Sequence, residues 1–222
     1  MLAPDLRGHG SAPCADLARV VMTDYVADIR AAAATLTAPP IVVGWSMGGL
    51  AALMYGAAHP VAGVVTLGPS APRQLLESPR REPPRPGVFG PEVYGILDRT
   101  SLQQPTMPDL DPDEVAIALA SLGPESAMAR EDRQRGVPVD PAAMLGPVLV
   151  VGGERDETMQ PASCRRLAAF LGARYLEFAG ASHWGLVLNR RALDRHLGDV
   201  LAWIDAAENP SPSGGLSLES RP

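Results

Sequence analysis

The chain contains no lysine, and all 19 of its basic residues are arginine. Alongside abundant alanine and 23 prolines, that bias reads as a coding preference and not as a functional signature. Basic residues are outnumbered by 25 acidic ones, for a formal net charge of −6 and a pI near 5.2. A nucleic-acid-binding domain normally carries a basic patch on a basic background, so that class is excluded. Cysteine is scarce. Cys14 and Cys164 stand alone, without C-x-x-C or histidine-rich spacing, which argues against a disulfide framework and a zinc site. They read as reduced thiols of an intracellular protein. No apolar run approaches the ~18 residues of a membrane span. The first residues, MLAPDLRGHG, lack the charged start and apolar stretch of a signal peptide. No internal repeat is visible. The expectation is a cytoplasmic protein that binds neither nucleic acid nor membrane.

What is present is ordinary globular material, 46% hydrophobic and 20% charged. The 222 residues suffice for one sizeable core, or one core and a small lid. Short apolar runs at 41–45 (IVVGW), 61–67 (VAGVVTL) and 147–152 (PVLVVG) read as buried parallel strands, with a weaker one at 174–178 (RYLEF). Helical spacing marks 17–36, 161–171 and 190–206, the last through Leu193, Leu197, Val200, Leu201 and Ile204. Strands alternating with helices predict an α/β fold, a mostly parallel sheet with helices on both faces. Residues 70–145 break the rhythm with PRREPPRPG, which suits neither helix nor strand. A helix is expected at 112–121. The expected organisation is a core of 1–69 and 146–207, an inserted lid at 70–145, and a flexible tail at 208–222.

The strongest motif is Gly44-Trp45-Ser46-Met47-Gly48, a G-x-S-x-G turn between an apolar strand and an Ala/Leu-rich segment. Such a turn strains the serine backbone and projects the hydroxyl into a cleft. The flanking glycines are expected where a Cβ would not fit. The amide of Met47 points at a developing oxyanion, at the positive end of the following helix.

A neutral serine needs a base. Of His9, His59, His183 and His196, the best placed is His183, in the small-residue loop GASHWG after strand 174–178. His59 and His196 read as surface histidines. The imidazole needs a carboxylate to hold its tautomer, and Asp156 follows a buried strand in Gly153-Glu154-Arg155-Asp156. Glu154 and Glu157 are the weaker candidates, with solvated charge as their expected role. The order Ser46, Asp156, His183 is the one this architecture uses.

Together these segments resemble the α/β-hydrolase fold superfamily. Asp5-Leu6-Arg7-Gly8-His9-Gly10-Ser11 looks like its D-x-R-G-x-G-x-S loop, VVGWSMGG like its nucleophile elbow, VVGGERD like its acid strand and GASHWGLVLNR like its histidine loop. The tryptophan before the serine is similar to the carboxylesterase and non-haem haloperoxidase-like esterase branches. The resemblance implies hydrolysis of a small-molecule carboxylic ester, thioester or lactone through an acyl-enzyme, with no metal or organic cofactor. Trp45, Met47 and Trp184 would line the acyl pocket or, equally, pack beneath the active site. Separately from the resemblance, Arg73, Arg80, Arg81 and Arg85 cluster near the lid entrance, where they read as a solvated arginine run or, alternatively, as a patch that attracts an anionic acyl carrier.

The family pattern is not complete. The resemblance implies three strands ahead of the D-x-R-G-x-G loop, the third lying beside strand 41–45, whose edge is therefore expected to be unpaired. It also implies a second oxyanion donor from an H-G loop. His9-Gly10 does not replace it, because it belongs to the D-x-R-G-x-G loop. Loss of one donor costs about 10² to 10³ in turnover. Two accounts follow: the sequence begins at an internal Met of a longer chain, which is the favoured one, or the short form is weakly active or inactive. Alternatives to ester hydrolysis are a C–C bond hydrolase with the same three residues and a non-catalytic, hydrolase-like binding protein. A dehalogenase is disfavoured because it needs Asp where Ser46 stands. Homo-oligomerisation is left open.

Overall fold

The computed structural model describes residues 1–209. The chain runs through α1 (Met22–Ala33), β1 (Ile41–Trp45), α2 (Met47–Gly56) and β2 (Gly63–Leu67). A long segment then carries β3 (Val88–Phe89), α3 (Pro112–Ser121), β4 (Glu125–Ser126) and α4 (Ala127–Arg135). The alternation resumes with β5 (Val148–Gly153), α5 (Pro161–Leu171), β6 (Arg174–Phe178), α6 (Gly185–Leu188) and α7 (Arg190–Glu208).

The apolar runs form one parallel sheet in the order β1-β2-β5-β6. All six residues of β5 are buried, as a continuous apolar run in mid-sheet requires. Successive side chains of a strand point to opposite faces. Val64 and Val150 therefore join Leu50, Leu53 and Leu167 on one face, while Val65, Leu149 and Val151 join Leu186 and Trp203 on the other. Each such fully buried side chain stabilises the fold by about 1.5–3 kcal/mol. Helix α2 has seven buried residues and sits deep in the first cluster.

Strand β1 is an edge strand. Among the described residues its only ladder partner is β2, and Val43 is 57% exposed. Among the described residues no strand pairs with the other edge of β1, the edge the sequence led us to expect unpaired. In a parallel sheet every strand ends at the same side, so the residues after β1, β2, β5 and β6 converge at one rim.

Three local expectations need correction. The helix expected over 17–36 is shorter: Leu17–Arg19 make one 3₁₀ turn, Val20 and Val21 are extended, and α1 starts at Met22. Partners from elsewhere take this stretch out of the helix. Ser126 Oγ donates to the Val20 carbonyl at 2.6 Å and Gly87 N to the Ala18 carbonyl at 3.0 Å, while the Asp24 carboxylate accepts from Val21 N. Helix α4 was not foreseen, because AMAREDRQR has no apolar stripe. Helix α7 runs through Glu208, so residue 208 does not belong to the expected flexible tail of 208–222. Its remainder, 210–222, lies outside the described residues.

Between β2 and β5 the chain folds onto the rim. Strands β3 and β4 pair antiparallel, Val88 with Ser126 and Phe89 with Glu125. The expected helix at 112–121 is α3. It opens with a capping box: Asp111 accepts from Glu114 N, and Glu114 accepts from Asp111 N, both at 2.9 Å. Ile96, Met107, Val115, Ala118 and Leu119 make a small cluster of their own, against which Trp184 and Leu188 pack.

Candidate active site

Ser46 stands between β1 and α2 with φ 55° and ψ −121°, the one non-glycine residue of positive φ among the described residues. Such a conformation costs about 1–3 kcal/mol and persists only where the surroundings enforce it. They do so here. Ser46 N donates to the Leu67 carbonyl at 2.9 Å, and the Ser46 carbonyl accepts from Ser70 N at 2.9 Å and Gly49 N at 3.1 Å. A Cβ on Gly44 would fall 2.3 Å from the Gly48 carbonyl oxygen, so glycine is required there. The same expectation for Gly48 is wrong, since a Cβ on it would meet nothing within 4 Å. Gly49 takes that role, where a Cβ would come 2.8 Å from the Pro69 Cβ.

The imidazole of His183 lies between the other two candidates. Its Nε2 is 3.0 Å from Ser46 Oγ, and its Nδ1 is 2.7 Å from Asp156 Oδ2. Segments 137 and 27 residues apart in sequence supply the partners. Asp156 is 2% exposed, and its other oxygen accepts from Thr158 N at 2.9 Å and Met159 N at 2.7 Å. Those backbone donors fix the orientation of the carboxylate. Gly68, at φ 48°, lies against the pair: a Cβ there would approach Asp156 Oδ2 to 2.8 Å and His183 Nδ1 to 3.1 Å.

The histidine loop is braced from several sides. Trp45 Nε1 donates to the His183 carbonyl at 3.0 Å, and the Trp45 ring lies 5.0 Å from the imidazole and 4.8 Å from Trp184. Asp109 was not singled out in the sequence. Its Oδ2 accepts from Ser182 N at 3.0 Å and from Asn189 Nδ2 at 3.0 Å, and its carbonyl accepts from Asn189 Nδ2 at 2.8 Å. The missing side chain of Gly185 makes room for that carboxylate, which a Cβ would meet at 2.0 Å. Glu114 adds a second link, accepting from Arg190 N at 2.8 Å. No periodic signal marks Asp109, so it becomes visible only once residues 73 apart are brought together.

The remaining candidates sit elsewhere. Glu154 is more than a solvated charge, because its carboxylate accepts from Gly180 N at 2.6 Å. Glu157 is exposed. His196 stacks on Phe178 and accepts from Ala179 N at 3.0 Å, and His59 packs on Tyr55, so both are half-buried and not simple surface residues. His9 Nε2 faces Glu125 at 3.4 Å, and that carboxylate raises its pKa. The loop around His9 is knit to itself: Asp5 accepts from Ser11 N at 2.8 Å, and Arg7 binds Asp28 and Asp24. The side chain of Met47 packs against the first core cluster, while its amide opens α2, where N–H groups lack partners within the helix. Cys164 is buried, and burial, with the Asp156 charge, pushes its thiol up to about 12, which leaves no thiolate near neutral pH. Among the described residues, no group of three or more His, Cys, Asp or Glu side chains is placed to hold a metal ion, and no helix is long and apolar enough to cross a membrane.

Residues 1–195 match a family model described as the alpha/beta hydrolase family. No match is found among curated proteins. Among solved structures, the fold is similar to a carboxylesterase of Nitrososphaera gargenis, with 15% identity, 90% of this chain and 79% of that chain covered, and a TM-score of 0.65. It is similar to a monoacylglycerol lipase of Paleococcus ferrophilus, with 22% identity, 90% and 80% covered, and a TM-score of 0.62. A methylesterase of Arabidopsis is alike at 16% identity, 90% and 85% covered, and a TM-score of 0.63.

Proposed function

The chain belongs to the alpha/beta hydrolase family, and within it we propose a serine hydrolase that cleaves a small-molecule carboxylic ester or thioester. Ser46 is the nucleophile, His183 the base and Asp156 the acid that orients His183. The observation that carries this reading is the His183 ring, within hydrogen-bond distance of Ser46 Oγ on one side and Asp156 Oδ2 on the other. Nδ1–H donates to the carboxylate, which leaves the Nε2 lone pair facing the hydroxyl.

Ser46 Oγ attacks the carbonyl carbon as its proton passes to His183 Nε2. The carbonyl oxygen becomes an oxyanion, stabilised by the Met47 N–H and the positive end of α2. Asp156 stabilises the imidazolium. His183 then gives its proton to the leaving alcohol or thiol, and the acyl-enzyme remains. Water, deprotonated by His183, attacks the acyl carbon. The carboxylic acid leaves, and the proton returns to Ser46. The residues of 70–145 act as a lid over this rim, tied to the histidine loop through Asp109 and Glu114. Trp45 and Trp184 line the acyl side and hold the loop in place.

Hydrolysis of p-nitrophenyl acetate tests the assignment. The wild-type protein is expected to release p-nitrophenol with a burst of one equivalent per chain, the mark of an accumulating acyl-enzyme. Ser46→Ala is expected to show neither burst nor turnover. A Ser46→Ala protein as active as wild type would refute the reading.

A further inference from the structure

We propose that the rim beside Ser46 carries an oxyanion-binding subsite, built by Arg80 and Arg133, that takes the carboxylate or phosphate of a substrate at a distance from its scissile bond. The proposal rests on the hydrolase reading and names the class of ester: one with an anionic group on the part remote from the reacting carbonyl.

The first observation is Arg133, on α4. Burial holds its pKa below the usual guanidinium range. Among the described residues no carboxylate lies within 4.0 Å of it, and its nearest hydrogen-bond partner is Ser70 Oγ at 3.4 Å. Withdrawing an unpaired cation from water is costly unless a counter-charge arrives. The second is Arg80. It is paired with Glu131 through Nη2 at 3.1 Å, and Glu82 Oε2 lies 3.7 Å from its Nε, beyond hydrogen-bond reach, so that buried Nε has no hydrogen-bond partner. A guanidinium with unused N–H groups is shaped for the paired oxygens of a carboxylate or phosphate.

The third observation is location. Ser70 N donates to the Ser46 carbonyl, so Arg133 is two hydrogen bonds from the backbone of the proposed nucleophile. A cavity of about 330 Å³ starts at Ala71 and has Arg80 and Arg133 in its wall. Arg80 and Ser78 also border a second cavity of about 630 Å³, lined further by Arg73, Arg81 and Arg135. Both volumes lie in the range of small-ligand sites. Of the acids on the larger cavity, Glu77 is already paired with Arg166 at 2.8 Å, which leaves Asp132 against the arginines. The sequence singled out Arg73, Arg80 and Arg81 here. It missed Arg133 and Arg135, and it added Arg85, which lines neither cavity.

Three p-nitrophenyl esters of equal acyl length test this, with the chain ending in methyl, carboxylate or phosphate. Wild type is expected to favour at least one charged ester over the neutral one by about tenfold in kcat/KM, the scale of a charged hydrogen bond. Which charged ester wins identifies the oxyanion. The charged-over-neutral ratio is expected to fall toward one in Arg80→Gln and Arg133→Gln. Arg30→Gln, exposed on α1 and lining neither cavity, should keep the ratio. A wild-type ratio at or below one, with the neutral ester cleaved, overturns the subsite and leaves the hydrolase reading standing. A ratio that ignores both substitutions overturns it too. If no ester is cleaved and Ser46 resists a fluorophosphonate, the hydrolase reading fails. The subsite is then decided by titration calorimetry with glutarate and inorganic phosphate: saturable binding that Arg80→Gln abolishes supports it, and no binding overturns it.

Discussion

The two halves of the site are held in different ways. The histidine and aspartate follow the inner strand β5 and its neighbour β6, and they are fixed by many partners. Asp156 accepts from two backbone amides, Trp45 donates to the His183 carbonyl, and Asp109 and Glu154 clamp the loop between them. The serine follows β1, at the sheet edge, with Val43 open to solvent. Its position depends on a strained backbone and on glycines that let β1 and α2 approach. One half is thus fixed by redundant hydrogen bonds. The other adds tight local sterics at Gly44 and Gly49 to three backbone hydrogen bonds at Ser46, and it should be the less tolerant of added side-chain bulk.

The largest effects are expected from removing the proposed reacting groups. Ser46→Ala and His183→Ala are each expected to lower kcat about a millionfold, as for residues that act as one unit. Asp156→Asn, which keeps the shape but favours the wrong imidazole tautomer, should cost about 10⁴. Both are read from steady-state hydrolysis on folded protein. Next comes the sheet itself. Leu149→Ala, in the fully buried second cluster, should destabilise by about 2–5 kcal/mol in urea unfolding, against less than about 0.5 kcal/mol for Val43→Thr on the open edge. Equal losses at the two positions would mean that the edge is covered in solution.

Asp109 sharpens the contrast. Asp109→Ala frees the Ser182 amide and should lower kcat about 10- to 100-fold, since a displacement near 1 Å costs on that order. Asp109→Asn should retain most activity, because one oxygen can still accept from Ser182 N and Asn189 Nδ2. In a His183→Ala background, Asp109→Ala should have no further effect. Additive losses would show that Asp109 does not act through the histidine. The smallest effect is a pH dependence. Glu125 raises the pKa of His9, so the pair stabilises the fold below the ordinary histidine pKa of ~6.5. That contribution is lost as pH rises through the elevated folded-state value. The Tm difference between wild type and His9→Gln should shrink from pH 6 to pH 8 (about 6 and 8 bracketing the usual histidine range).

Much of this was legible in the sequence for identifiable reasons. An apolar run ending in Gly44-Trp45-Ser46 carries its turn chemistry locally, and so do the runs before Asp156 and His183. A parallel sheet then brings the three ends to one rim, where the side chains lie in hydrogen-bond contact. Gly68 was hidden because its role depends on what packs over it. Asp109 and Arg133 come from the segment between β2 and β5, which has no sheet periodicity and finds its partners only in three dimensions. Gly48 shows the opposite error: a motif position was credited with a tight contact that belongs to Gly49.

The central claim is that the imidazole at 183 makes the hydroxyl at 46 nucleophilic. A fluorophosphonate probe, with the modified peptide identified by mass spectrometry, measures this directly. Wild type should be labelled at Ser46 and at no other serine, and His183→Ala should be labelled orders of magnitude more slowly while remaining folded by circular dichroism. A folded wild-type protein that takes no label, or a His183→Ala protein that reacts as fast as wild type, would contradict the account.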